Sequence, residues 1–213
     1  MRCAAHSAIP SCRVKRRMTL RSSALLLLQR GRGDDFTADA MIEHPEKMRL
    51  ARQLHEGARQ MRGTFLNTVA VLDAQIAEII SHYFCNVEHR RALFMSDIAT
   101  AQFFSLRMKE AVLKKIVKLE CGFYLERNPG LFKEFEAIRN FRNDLAHAII
   151  DVSDEALIRG PTESIGFVSF KDGKEHTKRV TPAEADSYNA RAGMLLGNLK
   201  EIARILGTPA RYA

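Results

Sequence analysis

The chain has 213 residues, of which 46% are hydrophobic and 27% are charged, as in ordinary soluble globular proteins. This length fits one domain with room for a tail. No apolar run approaches the roughly 20 residues that cross a bilayer, so we expect a cytoplasmic protein with no membrane partner.

The net charge of +8 comes entirely from the start of the chain. Residues 1–33 carry eight Lys and Arg and no Asp or Glu, whereas the remaining 180 residues carry 25 basic and 25 acidic side chains. The overall charge of this larger part therefore does not argue for nucleic-acid binding, and any such site must be a local cluster.

Residues 1–40 form a basic segment that we predict to be a disordered tail or the product of a mis-assigned start. A true start at Met18 or Met41 agrees with the change in charge near Asp34. An Arg-rich leader without acids also fits an organelle transit peptide. The four cysteines form no C-x-x-C pair, which indicates a reducing compartment without disulfides or a zinc site.

Apolar residues recur at helical spacing in three stretches that make up the predicted core helices, between about residues 44 and 150. The first covers about 44–85, and Asp73 falls inside its apolar arc. The second covers about 96–119, with a serine at its start as a candidate N-cap, and the third covers about 131–150. The basic side of the second helix is expected to face solvent: Lys109, Lys114, Lys115 and Lys118.

After the third helix the pattern changes to alternation, which predicts a β-hairpin over about 164–180 with its turn at Asp172-Gly173. Thr181-Pro182-Ala183-Glu184 is a capping box with proline at the first helical position, and it predicts a last helix over about 182–206. The predicted fold class is therefore mainly α. A single helical domain over 41–213 carries a short hairpin inserted before its last helix.

The third helix places an arginine where its pattern would bury an apolar side chain. Five residues share the spacing 3, 4, 3 and 4 of a buried seam: Phe135, Ile138, Arg142, Leu145 and Ile149. Arginine is rarely buried without a partner, because removing its charge from water is costly. Arg142 therefore pairs with an acid such as Asp73, extends its head to water over a packed stem, or lines a cleft that holds an anion.

Arg139, Asn143 and His147 follow one another at intervals of four and form a polar ribbon along one side of the same helix. A gap of five residues separates His147 from Arg142 by about 140° on an ideal helix. The two side chains therefore need help to reach one narrow pocket. A helix end, the long arginine side chain or a second subunit across a two-fold axis would supply it.

Other chemistry-bearing residues give no pattern of a metal or phosphate-loop site. His82, Cys85 and His89 do not keep the spacing of a tetrahedral zinc ligand set. We therefore expect no metal and no cofactor.

The stretch Arg142-Asn143-Asp144-Leu145-Ala146-His147 resembles the R-polar-x-x-x-H motif of HEPN domains (higher eukaryotes and prokaryotes nucleotide-binding). The order of the helices and the acid embedded in the first one are similar as well. The likeness covers about residues 60–150 and is nearest to mannitol operon repressor-like members. It implies a HEPN-like helical bundle that works as a homodimer.

Catalytic HEPN proteins are metal-independent endoribonucleases, often toxins, so the resemblance implies cleavage of RNA to a 2′,3′-cyclic phosphate. It implies that His147 moves the proton of the ribose 2′-hydroxyl or of the leaving oxygen, and that Arg142 holds the phosphate. Asn143 and Arg139 would bind or orient the substrate. Asp73, which the apolar arc rather than the motif singles out, would orient Arg142.

Other members of the family are not catalytic. The alternative function is therefore a regulatory or protein-interaction module, such as a transcriptional regulator, in which Arg142 forms a structural ion pair with Asp73. The expected partners are a second copy of the chain, an RNA substrate, and an antitoxin or a regulatory protein.

Overall fold

The computed structural model describes residues 45–208, except for the side chain of Lys171, so the predicted tail over residues 1–40 lies outside it. The mainly-α prediction is confirmed: helices dominate, and a small antiparallel sheet precedes the last helix. The first helix, α1, spans Pro45–Phe84 and agrees with the first predicted stretch. Its buried stripe of large apolar residues runs through the centre of the fold: Leu54, Phe65, Val69, Leu72, Ile76, Ile79 and Ile80.

By length and composition alone, α1 is the one helix within residues 45–208 that could cross a membrane. Half of its most apolar window is buried inside the protein. This burial is typical of the core helix of a globular fold.

The second predicted helix, over 96–119, is wrong at its start. The structure has a short helix α2 (Glu88–Leu93), a π-helical turn (Phe94–Ala99), a loop, and then α3 (Leu106–Glu120). The N-cap of α3 is Ser105, whose extended backbone (φ −63°, ψ 162°) lets the chain enter the helix there. A T-shaped contact between the rings of Phe94 and Phe104, with centroids 6.0 Å apart, packs the turn against the end of the loop.

A short helix, α4 (Gly122–Arg127), leads into α5 (Leu131–His147), the helix with the HEPN-like motif. The predicted seam of α5 is wrong at Arg142 and Ile149, whereas Phe135, Ile138 and Leu145 are buried as predicted. Phe141 rather than Arg142 takes the buried position after Ile138, and Ile149 lies outside the helix and is 50% exposed. Helical spacing alone allows either neighbour to face the core, and the larger gain from burying a phenyl ring decides for Phe141.

The predicted hairpin is confirmed as β2 (Ile165–Lys171) and β3 (Lys174–Val180). Asp172 and Gly173 both have positive φ, as a tight hairpin turn requires. A two-residue strand, β1 (Ile149–Ile150), adds to the free edge of β2, which makes a three-stranded antiparallel sheet of order β1-β2-β3. A short helix, α6 (Asp154–Arg159), lies in the chain between β1 and β2.

The last helix, α7 (Pro182–Ile205), begins at the predicted capping box, where the Glu184 amide donates to Thr181 Oγ1 at 3.1 Å. Three rings join α1, α5 and α7 in the core. Phe141 stacks on Tyr188 with centroids 3.8 Å apart, and the edge of Phe65 meets Phe141 at 4.8 Å. These contacts fix the rotation of α5 against its neighbours. They therefore also fix the direction of the side of α5 that carries Arg139, Arg142 and Asn143, which we call its polar flank.

Candidate functional site

The polar flank of α5 borders a cleft of about 910 Å³ between α1, α5 and the loop before α3. His147 does not line this cleft. The other four predicted site residues do: Asp73, Arg139, Arg142 and Asn143. The sequence did not single out Arg107, which lines the same cleft from the first turn of α3. Because the predicted helix began ten residues too early, nothing marked this arginine as lying at a helix start.

Arg142 lies half-buried at the edge of the apolar seam. Its Nη1 donates to Asn143 Oδ1 at 3.1 Å, and no carboxylate pairs with it among residues 45–208. A guanidinium in this position keeps most of its donors available to an incoming anion. Of the three possibilities left open by the sequence, the ion pair with Asp73 is not made, and Arg142 is part of the lining of the cleft.

The predicted pairing of Asp73 with Arg142 is wrong. Asp73 Oδ2 instead accepts a hydrogen bond of 2.7 Å from Nζ of Lys109. The Lys109 side chain is only 5% exposed and the Asp73 side chain 35% exposed, so the expectation that Lys109 faces solvent is wrong too. An ammonium this deeply buried needs a carboxylate close by, and Asp73 supplies it across the interface between α1 and α3.

We expect Lys109→Met to destabilise the protein by about 1–3 kcal/mol, because it leaves the Asp73 carboxylate half-buried without its cation. Urea unfolding followed by circular dichroism measures this change, and Lys115→Met on the exposed side of α3 is the matched control. The pairing would be unimportant if both variants unfolded at the same urea concentration.

Arg139 lines the cleft and pairs with two carboxylates. Its Nη1 bonds to the Glu110 carboxylate on α3, its Nη2 lies 3.6 Å from Glu136 Oε1, and its side chain is 15% exposed. Burial raises the pKa of Glu110, and the nearby charge of Arg139 opposes this effect. Arg139 thus holds α5 against α3, and the predicted ribbon of Arg139, Asn143 and His147 loses its first member.

His147 is the last residue of α5 and is exposed. It lies about 6 Å further along the helix axis than Asn143, on the side of α5 that also carries the exposed Asn140. The chain is tied down just after it, since Arg62 Nη2 donates to the carbonyl oxygen of Ala148 at 2.6 Å. Within the single chain, His147 therefore does not line the cleft that Arg142 lines.

Within residues 45–208, no group of three or more His, Cys, Asp or Glu side chains is placed to hold a metal ion. The lining of the cleft supplies the guanidinium of Arg142 and the amide of Asn143, whereas the imidazole of His147 lies outside it. These groups can bind a phosphate and move a proton.

Comparison with known proteins adds no assignment. A scan against models of protein families finds no match, and searches of curated proteins and of solved structures find none either.

Proposed function

We propose that the chain is a HEPN-like, metal-independent endoribonuclease that acts as a homodimer in the cytoplasm, in a toxin or defence setting. The observation that supports this proposal best is the state of Arg142. It lies on the motif helix, lines an open cleft and has no carboxylate partner within the described part of the chain. An arginine without a counter-ion beside a cleft is suited to binding a phosphodiester.

In the proposed reaction the ribose 2′ oxygen forms a bond to phosphorus, and the bond between phosphorus and the 5′ oxygen breaks. His147 takes the proton of the 2′-hydroxyl, and the leaving 5′ oxygen takes a proton from water. Arg142 stabilises the charge that develops on the phosphoryl oxygens. The products are a 2′,3′-cyclic phosphate and a 5′-hydroxyl, and no step calls for a metal-bound water.

The position of His147 explains why a dimer is part of the proposal. Within one chain it lies outside the cleft that Arg142 lines. It is exposed on α5, so a two-fold axis beside this helix would carry it toward the Arg142 cleft of the second subunit. Each site would then combine Arg142 of one subunit with His147 of the other.

Cleavage of a labelled RNA in the presence of EDTA tests the reaction, with the ends of the products analysed for cyclic phosphate. Mixing and refolding Arg142→Ala with His147→Ala tests the shared site. Random pairing makes half of the dimers mixed, each with one intact site, so about a quarter of the wild-type activity should return. An inactive mixture would show that the two residues do not act across subunits, and RNA left intact by the wild type would refute the nuclease.

One observation favours a non-catalytic regulatory or protein-interaction module, as in mannitol operon repressor-like proteins. His147 is absent from the lining of the cleft, which leaves a binding site without a proton-transfer group in the single chain. Such a module would bind an anionic partner or a regulatory protein through Arg142 and cut nothing. A stable monomer in solution that leaves RNA intact would support it.

A further inference from the structure

The cleft beside Arg142 continues along α1 into a second cavity. This second cavity has a volume of about 730 Å³, and Leu66 lines both. The α1 residues that line the two cavities recur every three or four positions from Arg52 to Ala77, so they form one stripe about 38 Å long. We call this continuous surface the α1 groove.

Arginines without a carboxylate partner in the described part of the chain are concentrated along the α1 groove. Four arginines that line it have no carboxylate partner among residues 45–208: Arg52, Arg62, Arg107 and Arg142. The carboxylates that line it are already engaged, each by a cation that also lines the groove: Glu56 by Arg59, Asp73 by Lys109 and Glu136 by Arg139. A local excess of positive charge therefore exists in a folded region whose overall charge is balanced.

Arg62 is the arginine of the groove whose burial is most costly. It is half-buried, its guanidinium lies 4.9 Å from the centre of the Phe167 ring, and its Nε is buried without a hydrogen-bond partner. Burial lowers the pKa of Arg62, since no anion in the described structure offsets the loss of water. A negatively charged ligand lying in the groove would offset this cost.

The positive charge and the length of the groove indicate which kind of molecule it binds. A second copy presenting the same stripe would bring arginines against arginines, which like-charge repulsion disfavours. Guanidinium groups bind phosphates through paired N–H donors, and their spread along one side of α1 matches a chain of phosphates rather than one small ion. Gly63 and Ala70 are small and exposed, so the floor of the groove is open to a polymer.

We propose that the α1 groove is the track for single-stranded RNA, leading from Arg107 and Arg142 past the end of α5 to Arg62 and Arg52. This inference rests on the proposed function, which places the scissile phosphate at Arg142. A single strand is expected because attack by the 2′ oxygen requires a backbone that can bend in line with the leaving group. Its contacts reach only phosphates, so binding should depend strongly on salt and little on sequence.

The test measures binding separately from cleavage, with a fluorescent 12-residue oligouridine that carries 2′-O-methyl groups and so cannot be cut. We expect Arg52→Gln and Arg107→Gln to raise its Kd several-fold. Each should also lower the slope of log K against log salt by about 0.7, the value for one phosphate contact on a single strand. Arg127→Gln is the matched control, since Arg127 is exposed on α4 and lines neither cavity.

A second pair of variants tests the position of the strand by bulk instead of charge. Ala70→Phe places a ring in the groove and should weaken binding, whereas Ala111→Phe places one on the exposed side of α3 and should not. The track would be refuted if Arg52→Gln and Arg127→Gln behaved alike, or if polyglutamate of equal length competed as well as RNA. Binding as tight to a 12-base-pair duplex would also refute it. Groove-dependent binding without any cleavage would instead refute only the nuclease.

Discussion

Replacing His147 by alanine is expected to lower kcat for RNA cleavage by about 10²–10⁴-fold, the usual contribution of a general acid or base. The fold should tolerate the change, because His147 is exposed at the last position of α5. Single-turnover cleavage at saturating protein, with EDTA present, measures the effect on the chemical step. Binding of the uncleavable oligouridine should stay close to that of the wild type, since His147 contributes to the reaction more than to affinity.

His176→Ala is the control for this prediction. His176 is also an exposed histidine, and it lies on β3 and lines neither cavity of the α1 groove. Cleavage that survives in His147→Ala at the wild-type rate would remove His147 from the mechanism. An equal loss of cleavage in both variants would show that the effect is not specific to His147.

Replacing Phe141 by alanine is expected to lower the free energy of unfolding by about 3–5 kcal/mol, as for other phenylalanines in protein cores. Phe141 is 1% exposed and sits between the rings of Phe65 and Tyr188, so its removal leaves a cavity where α1, α5 and α7 meet. Nζ of Lys178 also lies 4.7 Å from the centre of the ring, and this contact would be lost. Urea unfolding monitored by circular dichroism measures the change.

Phe170→Ala provides the comparison, because Phe170 is 57% exposed on β2 and should cost little. Equal losses in the two variants would contradict the burial of Phe141 and with it the corrected seam of α5. The seam matters for the site, since a helix rotated to bury Arg142 would close the cleft that the proposed function needs.

Local sequence patterns were sufficient to predict the helices and the hairpin whose formation depends on neighbouring residues. The long apolar stripe predicted α1, the Asp172-Gly173 turn predicted the hairpin, and the capping box at Thr181 predicted the start of α7. Each of these depends on residues within a few positions of one another, so their physics is contained in the local sequence. The predicted start of this helix at Ser96 is wrong because serine occurs at many positions that are not caps, and the chain enters α3 at Ser105 instead.

The ion pairs of the site could not be predicted in the same way. In the sequence, Asp73 is an acid among apolar neighbours and Arg142 is a cation in a predicted buried seam. An ion pair between the two was therefore the simplest prediction. Which cation reaches Asp73 depends on how α1 and α3 pack against each other, and there Lys109 is the one that becomes buried. Because Lys109 pairs with the Asp73 carboxylate, Arg142 has no carboxylate partner among residues 45–208.

By itself, the sequence determined that this is a mainly helical protein and where its principal helices and hairpin lie, and it singled out Arg142 and His147 as candidate site residues. Periodicity, caps and turns carry that information because they act over a few residues. The tertiary structure alone decided that Phe141 fills the core, that Lys109 neutralises Asp73, and that the α1 groove is lined by four arginines without a carboxylate partner among residues 45–208. Residues far apart in the chain make these arrangements, and only their packing fixes which charges are paired and which stay open to a ligand.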